Sequence, residues 1–139
     1  MRELAAADLI LHAGDVTTNE VLEELRRLGP LQAVFGNNDD AALQESLPKD
    51  SVLEVEEARI AMTHIGGARS GREDRLVGRF RGCGAVVYGH THAPQVERHA
   101  GVWILNPGSP TQRRRAAARS MLVLEVTGSR IRPRLIELP

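Results

Sequence analysis

Five side chains in this sequence have the types and settings to hold a metal ion: Asp15, Asn37, His64, His90 and His92. Each stands where an apolar run closes in a short polar segment. These segments are His12-Ala13-Gly14-Asp15, Gly36-Asn37-Asn38-Asp39, Thr63-His64 and Gly89-His90-Thr91-His92. Imidazole suits first-row transition ions, while carboxylate and amide oxygens suit harder cations. Three His, one Asp and one Asn without a thiolate point to Mn first, then Fe, Ni, Co or Zn. Calcium would want an all-oxygen shell. His90 and His92 lie two apart, so an extended segment would present both rings on one side. In a loop the two rings could diverge to different ions.

Residues this far apart meet only if a fold gathers them. Residues 8–12, 31–35 and 85–88 read as short buried strands, and 51–56 with 59–63 as a hairpin. Helices are expected over 18–28, with Thr18 as N-cap, over 41–47 before Pro48, and over 72–81. Val21, Leu22, Leu25 and Leu28 share a face of the first of these. Leu76, Val77 and Phe80 point inward from the last. Residues 2–7 read as the tail of a helix. Further strands are expected over 95–99, 102–105, 121–126 and 131–137. Alternating strand and helix predicts parallel pairing in the opening half, and tight turns predict antiparallel pairing in the later half. The fold class is α/β, in one domain over 1–139. Open α/β sheets place their sites beyond the carboxyl ends of strands, where all five candidates stand.

The bulk composition removes several function classes. Of 139 residues, 42% are hydrophobic and 26% charged, which suits one ordered domain with a core. The formal net charge is zero, so no global field draws the chain to nucleic acid or an anionic membrane. Cys83 is the single cysteine, which excludes an internal disulfide and fits a reducing, cytoplasmic setting. No apolar run reaches membrane-spanning length, and Glu3 and Asp8 interrupt any signal-peptide core. Aromatic content of 3% leaves the Arg113-Arg114-Arg115 run without the interleaved rings of a nucleic-acid groove.

The remaining polar residues have plain structural readings. His12 reads as packed behind the site and not as a ligand. Asp39 and Asp40 read as helix caps, with Asp39 orienting the Asn37 loop as the second reading. His99 reads as a solvated hairpin residue, Cys83 as a small buried one, and Trp103 as core. Arg113 reads as part of a solvated face, with a hold on substrate phosphate as the alternative. Asn106-Pro107-Gly108-Ser109 has turn chemistry.

Taken in order, Gly14-Asp15, Gly36-Asn37-Asn38-Asp39, Thr63-His64, the Gly89–His92 segment and Asn106-Pro107-Gly108-Ser109 resemble the calcineurin-like metallophosphoesterase superfamily. The resemblance is nearest to its small bacterial and archaeal phosphodiesterase branch, to which the retromer scaffold subunit is also similar. It covers nearly the whole chain and implies a two-sheet β-sandwich flanked by helices, in four layers. It further implies two metal sites, with Asp15 bridging both ions. Asn37, His64 and His90 would complete one site, and His92 would belong to the other. Asp15, Asn37 and His90 would be catalytic, and a metal-bound hydroxide would attack phosphorus in line. The implied substrate is a small phosphoester, most of all a phosphodiester; the alternative is a scaffold that has kept the fold. A homo-oligomer is allowed by either reading.

The chain departs from the family pattern in two places. Many members carry His at the position of Asn38, where it serves as general acid, and an amide cannot donate a proton in that role. The family also opens on Asp-x-His, one strand–turn–helix unit of about thirty residues before the Gly-Asp pair. Only fourteen residues precede Asp15, none of them in that pattern. The expectation is therefore an N-terminally incomplete domain whose first strand, with two ligands, lies upstream.

Overall fold

The computed structural model describes residues 6–14, 19–37, 39–109 and 119–138. In chain order the elements are β1 (Ile10–His12), α1 (Asn19–Leu28), β2 (Leu31–Ala33), α2 (Ala41–Ser46), β3 (Asp50–Val55) and β4 (Ala58–Thr63). Then follow α3 (Arg72–Arg79), β5 (Ala85–Tyr88), β6 (Gln95–His99), β7 (Val102–Asn106), β8 (Arg119–Thr127) and β9 (Arg130–Leu138). Among the described residues no helix is long and apolar enough to cross a membrane.

Local chemistry sets the boundaries. Asp40 caps α2 by accepting from Leu43 N–H at 2.9 Å, and Pro48 follows the helix end. Helix α3 starts from Gly71 at φ 71, a left-handed conformation that glycine adopts without a Cβ clash. The β3–β4 connection turns through Glu56 at φ 54, and the β8–β9 connection through Gly128 at φ 61.

A five-stranded sheet of order β3-β4-β5-β7-β6 forms the centre. Its inner strands β4, β5 and β7 run parallel, and hairpins add β3 and β6 antiparallel at the edges. Strand β1 pairs β2 in parallel, and β8 pairs β9 antiparallel. The expected antiparallel later half holds for β6–β7 and β8–β9 and needs correcting at β5, which pairs β7 in parallel. The chain leaving β5 passes beyond the position of β7, forms β6 at the edge, and returns by a hairpin, so β7 enters in the same direction as β5.

Side chains alternate across this sheet with the strand period of two. Ile60, Met62, Ala85, Val87 and Leu105 face one way, packed with Val34, Ile131 and the partly buried Leu11, Leu122, Leu124 and Val126. The facing layer thus consists of β1–β2 and β8–β9. Ala61, Val86, Tyr88 and Ile104 face the other way, against Leu76 and Phe80 at α3. Leu22 of α1 and Leu43 of α2 close over Ala33 of β2. The result is the expected α/β arrangement, with helices outside two layers of strands.

Several boundaries differ from the sequence reading. The first strand begins at Ile10, since Asp8 and Leu9 stand outside any ladder. Helix α3 ends at Arg79, because Phe80 leaves helical geometry at φ −117. Val21 is 37% exposed while Leu22 is buried, so the apolar face of α1 is narrower than its pattern implied. The Thr18 cap, and residues 2–5 of the proposed helix tail, lie outside the described residues.

Candidate metal centre

The parallel strands end at one pole. Ala13 follows β1, Asn37 lies in the turn after β2, His64 follows β4 and His90 follows β5. Asn37 Oδ1 is the meeting point, 2.8 Å from His64 Nε2 and 3.0 Å from His90 Nδ1. The two rings stand edge to face with centroids 5.2 Å apart. His64 is buried, at 4% exposure.

The backbone makes this approach through missing side chains. A Cβ on Gly14, at φ +102, would lie 2.4 Å from His64 Nδ1. A Cβ on Gly89 would lie 2.9 Å from the Ala13 carbonyl oxygen. Neither position tolerates more than glycine while His64 keeps its place. His90 and His92 adopt φ 69 and φ 58, in the left-handed basin that residues with a Cβ seldom enter. Strain of this kind costs about 1–3 kcal/mol per residue and gathers at functional loops.

Asn106 supports the loop that bears it. Fully buried at the end of β7, its Nδ2 donates to the Gly89 carbonyl at 3.3 Å and to Thr91 Oγ1 at 3.1 Å. Its Oδ1 accepts from Gly108 N–H at 2.9 Å. Ser120 Oγ in turn donates to the Pro107 carbonyl at 2.8 Å. The Asn106-Pro107-Gly108-Ser109 segment, a turn by its chemistry and by family resemblance a support for the Gly89–His92 loop, makes that contact through Asn106.

The other candidates fall as follows. His92 shares the His90 loop, but the contacts joining Asn37, His64 and His90 do not include it. His12 Nδ1 accepts from Gly14 N–H at 3.2 Å. Asp39 is 5% exposed and accepts from Gly36 N–H at 2.7 Å. Asp39 thus bonds within the Asn37 turn, whereas the N-cap of α2 is Asp40. His99 Nε2 meets Asp74 Oδ1 at 2.6 Å and its side chain stays 38% exposed, so it is a solvated hairpin residue that also touches α3. Trp103 is only half-buried, beneath the Arg98 guanidinium. Asp15, Asn38 and Arg113 lie outside the described residues. Beside the pole, the Gln95 amide holds the Glu73 carboxyl below the usual range.

Residues 1–129 match the model of the calcineurin-like phosphoesterase superfamily domain. The chain belongs to that superfamily. A probable metallophosphoesterase of Methanothermobacter thermautotrophicus is 35% identical over 93% of the chain and 75% of its own length. Another from Methanocaldococcus jannaschii is 38% identical over 78% of the chain. That alignment spans only 56% of the Methanocaldococcus protein. The structure of vacuolar protein sorting 29 from Cryptosporidium parvum superposes at a TM-score of 0.84 with 25% identity, covering 99% of this chain and 80% of that one.

Family membership implies a divalent metal, and the cluster can be tested for fit. His64 Nδ1 lies 2.7 Å from the Ala13 carbonyl oxygen, which only accepts. The neutral ring therefore carries its proton on Nδ1, and Nε2 presents a lone pair. That lone pair faces the Asn37 oxygen, so two acceptors stand 2.8 Å apart. A cation drawing on both relieves this, as would a reversed amide whose Nδ2–H groups reach both rings or a second ring proton on His64. The first is what a divalent ion would occupy. Among the described residues no three His, Cys, Asp or Glu side chains form a metal-holding group. The described cluster consists of two imidazoles and an amide.

Proposed function

We propose that this chain hydrolyses small phosphoesters, phosphodiesters foremost, with a divalent transition ion, Mn before Fe, Ni, Co or Zn. Asn37, His64 and His90 would hold the ion through Oδ1, Nε2 and Nδ1. Asp15 would add a carboxylate bridging to a second ion, and His92 would serve that ion. The observation that carries this reading is the opposed acceptor pair of Asn37 and His64, with the His64 proton fixed by the Ala13 carbonyl.

When bound, the ion supplies Lewis acidity and an acidified water near neutral pH. The chain's own residues do the remaining work. Ala13 sets the His64 tautomer, and His12 holds the Gly14 turn beneath it. Asn106 fixes the loop that aims His90. Asn38 offers an amide, which takes no part in acid catalysis. Substrates with good leaving groups are therefore favoured. A single buried thiol, Cys83, suits a reducing cytoplasm.

The test is hydrolysis of an aryl phosphodiester with added Mn, followed by chelation. Turnover should vanish on chelation, and Asp15→Asn should reduce it most. A second reading, a protein of the same fold that binds partners without turnover, is favoured by the likeness to vacuolar protein sorting 29. Absence of turnover with any of the five ions would select it.

A further inference from the structure

A cavity of about 400 Å³ opens where the β8–β9 turn crosses the start of β5 and β7. Gly84, Arg98, Trp103, Ser129, Arg130 and Arg132 line it, and no carboxylate side chain does. Trp103 pairs with Ala85, the first residue of β5, whereas the histidines stand beyond the last. His90 lies six positions along the chain from Gly84, about 20 Å of extended backbone. The cavity is therefore remote from the metal cluster.

Its cations are not neutralised from within. Arg98, Arg130 and Arg132 form no ion pair among the described residues. Glu125 stands opposite Arg132 in the β8–β9 register without joining it. The Glu57 carboxylate comes near Gly128 in the adjacent turn, also without pairing to these arginines. Arg98 lies over the Trp103 ring, 5.0 Å from its centroid, and donates to the Gly101 carbonyl at 3.2 Å. One guanidinium is thus already oriented at the cavity wall. Three such cations on a chain of zero formal net charge make a local positive concentration.

We propose that this cavity binds a small diphosphate-bearing anion. Guanidinium forks take phosphate oxygens bidentately, and several around one cavity select a polyanion over a monoanion. Ser129 adds a hydroxyl at the turn.

Trp103 is the only tryptophan, so its fluorescence reports on this cavity alone. Chelator-treated, desalted protein is titrated with inorganic pyrophosphate and, separately, with ADP, at constant ionic strength. A saturable change is expected with one or both. Equal affinities mean that the diphosphate suffices, and tighter ADP means that the nucleoside contributes. The double change Arg130→Gln and Arg132→Gln should weaken binding by about tenfold or more, the scale of lost charge-assisted hydrogen bonds. His90→Ala should leave the affinity unchanged. Equilibrium dialysis with labelled pyrophosphate checks the same constants without the fluorophore. Arg98→Gln replaces the double variant should that fail to fold. A response matched by potassium chloride, insensitive to the arginine changes, or lost in His90→Ala would overturn the proposal.

Discussion

Arg72 donates through Nη1 to the Tyr88 hydroxyl at 3.0 Å and lies over the same ring, 5.0 Å from its centroid. Its Nε and Nη2 donate to the Gly67 carbonyl at 3.2 and 3.1 Å. One side chain thus ties the loop after His64 to the strand end before His90. The Tyr88 hydroxyl donates onward to Gln95, whose amide donates to Glu73 at 2.9 Å. Tyr88→Phe removes a buried hydroxyl and leaves partners unsatisfied, so a loss of about 1–2 kcal/mol is expected. Chemical denaturation measures it. An unchanged midpoint would show that the network contributes nothing net.

Metal content offers a second check. Asn37→Ala or His90→Ala should sharply lower the Mn, Fe, Ni or Zn found by elemental analysis, since each removes a proposed ligand. Gly14→Ala should do the same without touching a ligand, because its Cβ would fall 2.4 Å from His64 Nδ1. Full metal content in Asn37→Ala and His90→Ala would remove the assignment.

The neighbouring aspartates should separate cleanly. Asp39→Ala leaves the Gly36 N–H buried without its acceptor, a loss of about 1–3 kcal/mol, and should also lower metal content by freeing the Asn37 turn. Asp40→Ala removes only the α2 cap, about 1 kcal/mol, and should leave metal content alone. Equal metal loss in both would assign the effect to α2 and not to the turn.

Burial raises the Cys83 thiol above its ordinary range. The folded state therefore keeps its proton at a pH where the unfolded chain has begun to lose it. This contribution is fully present below the unfolded thiol's pKa and is lost as pH rises through the folded value. Stability should fall on the alkaline side, and Cys83→Ala should flatten that limb. A disulfide reagent should label Cys83 slowly at neutral pH and quickly in urea. Fast labelling of folded protein would contradict the burial.

Strand and helix periodicity located most of the elements, because Ala85–Tyr88 or Leu76 with Phe80 bury by local pattern alone. Order within the sheet was less legible. Nothing in residues 95–106 marks β6 as the outer strand, and that placement makes β7 parallel to β5. At the site, Asn37, His64 and His90 could be read because their side-chain types are chemically unusual at strand ends. The Ala13 carbonyl that sets the His64 tautomer could not be read, since a backbone oxygen leaves no mark in a sequence. Arg72 was hidden for a related reason: an arginine opening a helix looks like any solvated one until Tyr88 is known to lie beneath it.

The left-handed backbone at His90 and His92 sets stability against chemistry at two positions of one loop. Glycine or asparagine would sit there with less strain, by about 1 kcal/mol each, and neither would bring a nitrogen lone pair. Mutational drift without demand for the imidazoles would therefore run downhill, toward a firmer protein with fewer donors. Histidine at both positions thus carries a local cost that glycine or asparagine would remove together with the nitrogen.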